Sequence, residues 1–456
     1  MIVVEKNNTR KWIIGLCLGV IFSFFGGYYF SYRLNEKEKT KLEIIQDIME
    51  NEWYYGIDDE DIKTTLQDKM ILSVMDLEKD PYTRYLTSLG TLADSYTGLG
   101  LEITTYGEYF IVTNVSSKTS IEDGVKVGDV ILSINEVDIK NKDITELSTL
   151  MGVGNVALKV LRGNNEVLIN TRVTSYDPVT VFTKEYGNKT SYIRISEFNR
   201  DTASHIEDYL STLPVSYTKL IIDLRGNPGG YVSAVGEVLD LFVTKDKVAI
   251  TTIDKHGNKD ITKTKDDSCY IFNDIYVLID GDSASGAEAL AAALDYHLDD
   301  IVTLYGETTF GKGSAQKTYY FDDGTYFHYT CALWYTPEGI TINHKGVDPE
   351  VKVSNDTISK YTLYNKELEL YDYGAEVKSI QEILVKLGYY DLNRVHSFID
   401  EAMVEAIKEF QEDNGLTVTG KVDTNTLRYL SKLLWDEKVN FENGVLNAVL
   451  GEIEDE

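Results

Sequence analysis

The stretch that decides how this chain folds reads I-D-G-D-S-A-S-G-A-E-A-L-A-A-A-L over residues 279–294, I-V-T-L-Y-G over 301–306 and E-T-T-F-G-K-G-S-A-Q over 307–316. The apolar run 276–279 predicts a strand and the alanines and leucines from 287 onward predict a helix, with only small residues between them. A strand-to-helix turn of this kind leaves the first amides of the helix without intrahelical partners. A serine at such a turn has an oxyanion hole beside it. The turn offers two serines, Ser283 and Ser285, and the second half brings one lysine, Lys312, between Gly311 and Gly313. A serine nucleophile with a lysine base is the chemistry to test.

The surroundings of this stretch, residues 176–358, alternate strand and helix patterns. Residues 192–195 predict a strand, 202–213 a helix, 219–224 a buried strand and 232–242 an apolar helix, which is α/β layering. The strand 219–224 ends in R-G-N-P-G-G, 225–230. A glycine loop at a strand's C-terminal end is where such sheets bind ligands, and its glycines let a backbone N–H approach a reacting carbonyl.

Upstream the period changes. Short strands at 99–104, 109–115, 130–134, 156–161 and 167–173 are separated by Gly, Asn and Asp, with a helix expected at 143–151. G-V-K-V-G-D-V-I-L-S-I-N, 124–135, resembles the core signature of PDZ domains, as does the turn Gly98-Leu99-Gly100-Leu101. The resemblance implies that this turn's amides cradle the terminal carboxylate of a peptide added to the sheet edge. Residues 36–92 read as helices, with apolar spacing at 42–49 and 62–74, broken by the turn D-P-Y-T at 80–83. At the other end, V-K-S-I-Q-E-I-L-V-K-L-G-Y-Y (377–390) and A-I-K-E-F-Q-E-D-N-G-L-T-V-T-G-K-V-D-T-N-T-L (406–427) resemble the small three-helix peptidoglycan-binding domain. The third helix is expected over 424–434, and the final E-I-E-D-E as a solvated acidic tail.

The N-terminus carries a different signal. Residues 12–30 are apolar and uncharged, about 28 Å of helix and enough for one hydrocarbon core. Arg10 and Lys11 precede the run and keep the N-terminus cytoplasmic, with no small-residue cleavage site after it. An uncleaved signal anchor is expected, with everything after Arg33 extracytoplasmic. The 456 residues carry a net charge of -30, which repels phosphate backbones and argues against nucleic-acid binding. Thirty-two tyrosines against 6 prolines argue for folded structure rather than long linkers. Cys17, Cys269 and Cys331 form no metal or CxxC pattern; Cys269 and Cys331 are expected as two thiols rather than as a pair.

Other chemistries fail on particular residues. The spacing 306–312 matches a P-loop, but Gly313 stands where a hydroxyl must hold magnesium. The six histidines are scattered, without a zinc-peptidase pattern, and nothing marks His297 as a catalytic base.

Four dispersed motifs, D-P-Y-T-R-Y-L (80–86), L-R-G-N-P-G-G (224–230), S-A-S-G-A-E (283–288) and T-F-G-K-G-S-A-Q (309–316), are similar in kind and order to those of the carboxyl-terminal processing peptidases, the tail-specific serine proteases. The resemblance runs from about residue 43 to 353. It implies an α/β multidomain chain: a single transmembrane helix (12–32), the helical N-terminal part of the protease (33–93), an inserted PDZ domain (94–175), the protease core (176–358), a peptidoglycan-binding-like domain (370–435) and an acidic tail (436–456). It also implies roles. The family's nucleophile lies three residues before the motif's glutamate, which selects Ser285 over Ser283. Lys312 becomes the base, Gln316 its orienting residue, and the amides of Gly286 and of Gly229 or Gly230 the oxyanion hole. Two departures stand out: Gly286 replaces the usual alanine, and Asp295-Tyr296 stands where the family often has Gln-Asp.

The mechanism that follows needs a neutral lysine, with its pKa brought from about 10.4 to roughly 7–8 by burial. No cofactor or metal is required. The expected partners are protein or peptide substrates with free C-termini, the membrane and peptidoglycan; a homo-oligomer is compatible with the sequence. Two other classes compete: a catalytically idle PDZ scaffold tethered between membrane and wall, and a cell-wall-modifying enzyme. The second lacks a carboxylate pair or metal site.

Overall fold

The runs K-L-I-I-D (219–223) and D-I-Y-V-L-I (274–279) place apolar side chains on both faces, a pattern that suits strands covered from both sides. The computed structural model describes residues 39–54, 80–86, 96–266, 270–321, 326–353 and 357–455. In it these runs are the two central strands of a six-stranded sheet ordered Val181–Tyr186, Thr190–Ile195, Lys219–Asp223, Asp274–Ile279, Val302–Gly306 and Val351–Lys352. The first two strands are antiparallel and every later neighbour is parallel. Helices Thr202–Thr212, Val232–Asp240 and Gly286–His297 cover one face, where Ile206, Val235, Leu239 and Leu290 pack against Leu220, Ile222, Val277 and Ile279.

The other face holds a correction. The stretch expected as a solvated acidic tail is helical, because the third helix of the C-terminal module continues as one element, Thr424–Asp455. Val445, Val449 and Ile453 recur at every fourth position and are buried against Ile221, Tyr276, Leu278 and Tyr305. A helix needs only this one stripe to dock, however acidic its other faces are. Val449→Asp would place a carboxylate in that apolar layer. It is expected to cost about 3 kcal/mol or more and to lower the melting temperature by roughly 10 °C. Ala448→Asp, at an exposed position of the same helix, is the control and should melt as the parent does in a circular-dichroism scan.

The PDZ-like part is a sheet ordered Leu101–Tyr106, Tyr109–Val115, Val130–Ile134, Asn155–Arg162 and Asn165–Arg172, with helix Ile144–Met151. Val112, Ile131, Ile134, Leu147 and Leu158 fill its centre. Its two ends meet where Tyr96–Gly98 pairs antiparallel with Thr174–Tyr176. The C-terminal module packs Val377, Ile380 and Leu384 of helix Ala375–Lys386 on Met403, Ile407 and Phe410 of helix Glu401–Asp413 and on Leu427 and Leu430.

All these parts belong to one compact unit; a second, smaller one draws on residues before 90 together with 254–258 and 315–332. Within the smaller unit Thr40 and Glu43 form a capping box at the start of helix Lys41–Asn51. Ile45, Ile48, Met49 and Trp53 pack with Phe327 and Tyr329. Strand Arg84–Leu86 pairs antiparallel with residues 326–328. The apolar segment 12–30 and the helical pattern 62–74 lie outside the described residues, as do Cys17 and Cys269. Among the described residues no helix is long and apolar enough to cross a membrane, and Cys331 is a buried free thiol.

Candidate active site

Strand Asp274–Ile279 delivers the chain into a turn that its own polar side chains tie down. Asp280 Oδ1 accepts from the amides of Gly226 (3.0 Å) and Ser283 (2.9 Å) and from Ser283 Oγ (3.0 Å). Burial pushes the Asp280 carboxyl upward. Ser283 Oγ also donates to the Leu224 carbonyl at 2.9 Å. Ser283 is thus fully buried and committed to holding the turn, whereas Ser285 is half-buried. Ser285 caps helix Gly286–His297 with φ 53° and ψ -110°, a conformation a non-glycine residue rarely adopts. Holding it there costs about 1–3 kcal/mol, a strain often found at reacting groups.

One carboxylate fixes this turn and the lysine loop together. Glu288, fully buried on the first turn of the helix, accepts from the Ser285 amide at 2.7 Å and the Lys312 amide at 2.9 Å through the same oxygen, Oε2. Its Oε1 accepts from Thr309 Oγ1 at 2.6 Å and the Gly311 amide at 2.7 Å. Burial pushes the Glu288 carboxyl above the usual range, and these four donors pull against that push. The backbones of Ser285 and Lys312 therefore sit within reach of a single oxygen atom. Lys312 is braced further by Trp334, whose Nε1 donates to the Lys312 carbonyl at 2.9 Å.

The glycine loop lies against the same turn. Gly229 has φ 108°, and a Cβ there would stand 2.7 Å from Ser285 Cβ and 2.8 Å from the Gly286 nitrogen, so only glycine fits. Asn227, fully buried, holds the loop in place: its Oδ1 accepts from the Gly229 amide (2.8 Å), its Nδ2 donates to the Ile195 carbonyl (2.9 Å) and its own carbonyl accepts from the Ala284 amide (2.9 Å). The Gly229 amide is thereby committed. The Gly286 amide is the first of its helix and has no intrahelical acceptor.

The structure thus gathers Ser285, Gly286, Gly229, Gly230 and Lys312 around one turn. Gln316 belongs to the smaller unit, where its Nε2 lies 3.4 Å from Thr330 Oγ1. There the D-P-Y-T motif acquires a physical role: Asp80 accepts from Trp53 Nε1 (2.8 Å) and Thr330 Oγ1 (2.9 Å), while Thr83 Oγ1 accepts from the Thr330 amide (3.0 Å). The motif therefore supports the residue that Gln316 touches. His297 is tied to the Val248 carbonyl at 2.8 Å, a packing role. Asp295, half-buried, is pushed up to about 6 by burial and then by Glu350, Glu338 and Asp299. Of the expected PDZ residues, Gly98 ends its strand, Leu99 is buried with its carbonyl bonded to Ser120 Oγ (2.7 Å), and Gly100 adopts φ 63° against Ser117. Leu101 then opens the edge strand of the sheet.

Glu288 served in the sequence only to mark the register of the nucleophile; its four donors come from residues 285 to 312 and no local pattern reveals them. Asn227 stands inside the glycine motif, and that position was the one available signal.

Comparison with known proteins gives the chain's family and its domains. The family model of peptidase family S41 matches residues 189–353, that of the PDZ domain 91–161 and that of the peptidoglycan-binding domain 373–430. The CtpA-like serine protease of Staphylococcus aureus (strain N315) is 30% identical over 437 residues, covering 92% of this chain and 85% of that protein. The chain belongs to the S41 peptidases. The carboxy-terminal processing protease CtpA of Bacillus subtilis (strain 168) is 29% identical over 434 residues, 89% of either chain. A solved S41 protease structure from Bacteroides fragilis NCTC 9343 shares the fold, with a TM-score of 0.50 and 15% identity over 70% of this chain and 92% of that one. This S41 peptidase is therefore a serine-type protease carrying a PDZ domain and a peptidoglycan-binding domain.

Proposed function

We propose that this peptidase cleaves protein substrates by a Ser285–Lys312 dyad, after its PDZ domain has engaged their C-termini. The observation that carries the pairing is the Glu288 oxygen shared by the Ser285 and Lys312 amides. Ser285 Oγ attacks the scissile carbonyl and Lys312 takes its proton. The tetrahedral oxyanion is met by the Gly286 amide and one amide of the glycine loop. Gly230 is the better donor of the pair, because the Gly229 amide is bound to Asn227. The lysine returns its proton to the leaving amine, and water releases the acyl-enzyme. Gln316, four residues after Lys312, is assigned the orienting role by its place in the motif. The turn at 98–101, at the start of an edge strand, suits capture of a terminal carboxylate.

The proposal extends to placement. The segment 12–30 is a signal anchor, the rest of the chain is extracytoplasmic, and the C-terminal module associates with the wall. The names of the relatives support carboxy-terminal processing as the activity.

The test is to incubate the full chain with candidate envelope proteins and map the new C-termini by mass spectrometry. New termini that do not appear with a Ser285→Ala chain support the reading; identical termini with both chains would sink it. A lysine base also predicts a pH profile. Only the neutral amine accepts the proton, so the rate should rise about tenfold per pH unit and flatten once Lys312 is deprotonated. A rate independent of pH across this limb rules out the lysine.

A further inference from the structure

The C-terminal helix Thr424–Asp455 is bolted across one end of the PDZ domain. On the strand side, Ser431 Oγ donates to the Thr105 carbonyl, the Gly107 amide donates to the Arg428 carbonyl at 3.1 Å, and Tyr106 OH donates to Asp436 at 2.9 Å. Lys432 lies 5.2 Å over the Tyr106 ring and pairs with Asp436 at 2.8 Å. On the other side, Arg428 donates to Asn141 and to the Lys142 carbonyl (3.1 Å), just ahead of helix Ile144–Met151. Further along, the same helix is held by the protease core. Lys438 pairs with Asp282 at 3.1 Å, the Glu442 carbonyl accepts from Arg225 at 2.6 Å, and the stripe Val445, Val449, Ile453 is buried on the six-stranded sheet. The last residues of edge strand Leu101–Tyr106 are thus capped by a segment fixed in place from below.

We infer that residues 428–436 are an intramolecular latch on the PDZ domain, which limits strand addition to the last few residues of a tail. The inference rests on the reading that the turn at 98–101 holds the tail's carboxylate. In an antiparallel ladder, alternate residues turn both backbone groups toward the same neighbour. Tyr106 pairs with Tyr109 across a two-residue turn, and the Thr105 carbonyl faces the helix. The set turned outward is therefore Leu101, Ile103 and Thr105. A tail anchored at 98–101 pairs first with Leu101, then with Ile103, and reaches Thr105 at about its fifth residue from the end. There it meets Ser431, and pairing can continue only if the helix leaves. Because the helix is part of the same chain, it competes at an effective concentration on the order of millimolar, whatever the amount of substrate. Covering an edge also guards it against unwanted pairing, and here the guard and the tail contend for one carbonyl. The C-terminal module thus sets how much of a tail the PDZ domain engages: a short stretch when the helix is docked, a longer one when it is released.

The experiment measures binding of fluorescent peptides to the full Ser285→Ala chain in detergent. A tetrapeptide is compared with an octapeptide that ends in the same residues and carries valine and threonine upstream, and with the octapeptide amidated at its C-terminus. This parent chain should bind the two free acids within about twofold of each other, because the latch denies the octapeptide its extra pairing. Arg428→Ala, Ser431→Ala and Asp436→Ala combined in the same chain remove the helix's side-chain bonds. They leave every PDZ residue in place and put a good helix former at each position. The triple variant should bind the octapeptide about tenfold tighter than the parent does, since the backbone groups of Thr105 become available, with the tetrapeptide affinity unchanged. Hydrogen exchange reads the contact directly: the Gly107 amide should be protected in the peptide-free parent. No gain for the octapeptide in the triple variant overturns the latch, as does a Gly107 amide that exchanges freely in the parent. If the amidated octapeptide binds as well as the free acid, the carboxylate reading falls, while the gain in the triple variant still reports on the latch. Absence of all binding in both chains overturns both.

Discussion

A Ser285→Ala chain and a Lys312→Ala chain should each lose peptidase activity by a factor on the order of 10⁴ or more, and the double variant should lose no more than the worse single one. The reason lies in the division of labour. A serine hydroxyl is a poor nucleophile unless a base takes its proton during attack, so removing either partner removes the same step. The informative comparison is Lys312→Arg. Arginine preserves the positive charge at this position but stays protonated at any working pH. If Lys312 served only to attract a developing oxyanion, Lys312→Arg would retain much of the rate. A base requires that it be as inactive as Lys312→Ala. Active-site labelling by a serine-directed reagent reads the same chemistry without a substrate: the parent should label, and all four variants should not. Labelling of Lys312→Arg at the parent's rate would remove lysine from the mechanism.

What the sequence disclosed and what it hid divide along the range of the interactions. The strand-to-helix turn at 279–294 and the glycine loop at 225–230 are contiguous, and both were readable from apolar runs broken by small residues. The alternation that predicts α/β layering became the parallel sheet, since runs such as 219–223 cannot be half-exposed. The C-terminal helix was misread after residue 434 because acidic residues dominate its composition. The stripe Val445, Val449, Ile453 is sparse, and its partners Ile221, Leu278 and Tyr305 are far away in the chain. The turn at 80–83 was visible, but not that Asp80 receives Thr330 from 250 positions away. The choice of Ser285 over Ser283 came from the family's register, whereas the physical difference between the two serines is visible only in three dimensions. Ser283 is spent on Asp280 and Leu224, whereas Ser285 stands half-buried in a strained conformation at the helix start.

Glu288→Gln should damage this site more than any change outside the dyad, although Glu288 has no assigned part in bond making. The carboxylate offers acceptor lone pairs at both oxygens, and the structure uses both: Oε2 for the Ser285 and Lys312 amides, Oε1 for the Gly311 amide and the Thr309 hydroxyl. A glutamine must turn its NH₂ toward one of these pairs. Facing Ser285 and Lys312, it opposes two backbone donors that cannot reverse. Facing the other pair, it finds a hydroxyl able to rotate, but still opposes the Gly311 amide. At least one buried donor is orphaned in either orientation, at about 1–3 kcal/mol. The expected fall in melting temperature is roughly 2–10 °C. The kinetic effect should be larger than the thermal one. The shared oxygen holds the nucleophile's backbone and the base's backbone at a fixed separation, and a misplacement of about 1 Å between reacting groups costs about 100-fold in rate. The turnover number should therefore drop by about that factor with KM little changed, because neither the PDZ groove nor the glycine loop depends on Glu288. A variant that melts lower yet turns over at the parental rate would reduce Glu288 to a helix cap. A rise in KM with turnover preserved would move its role from the dyad to substrate binding.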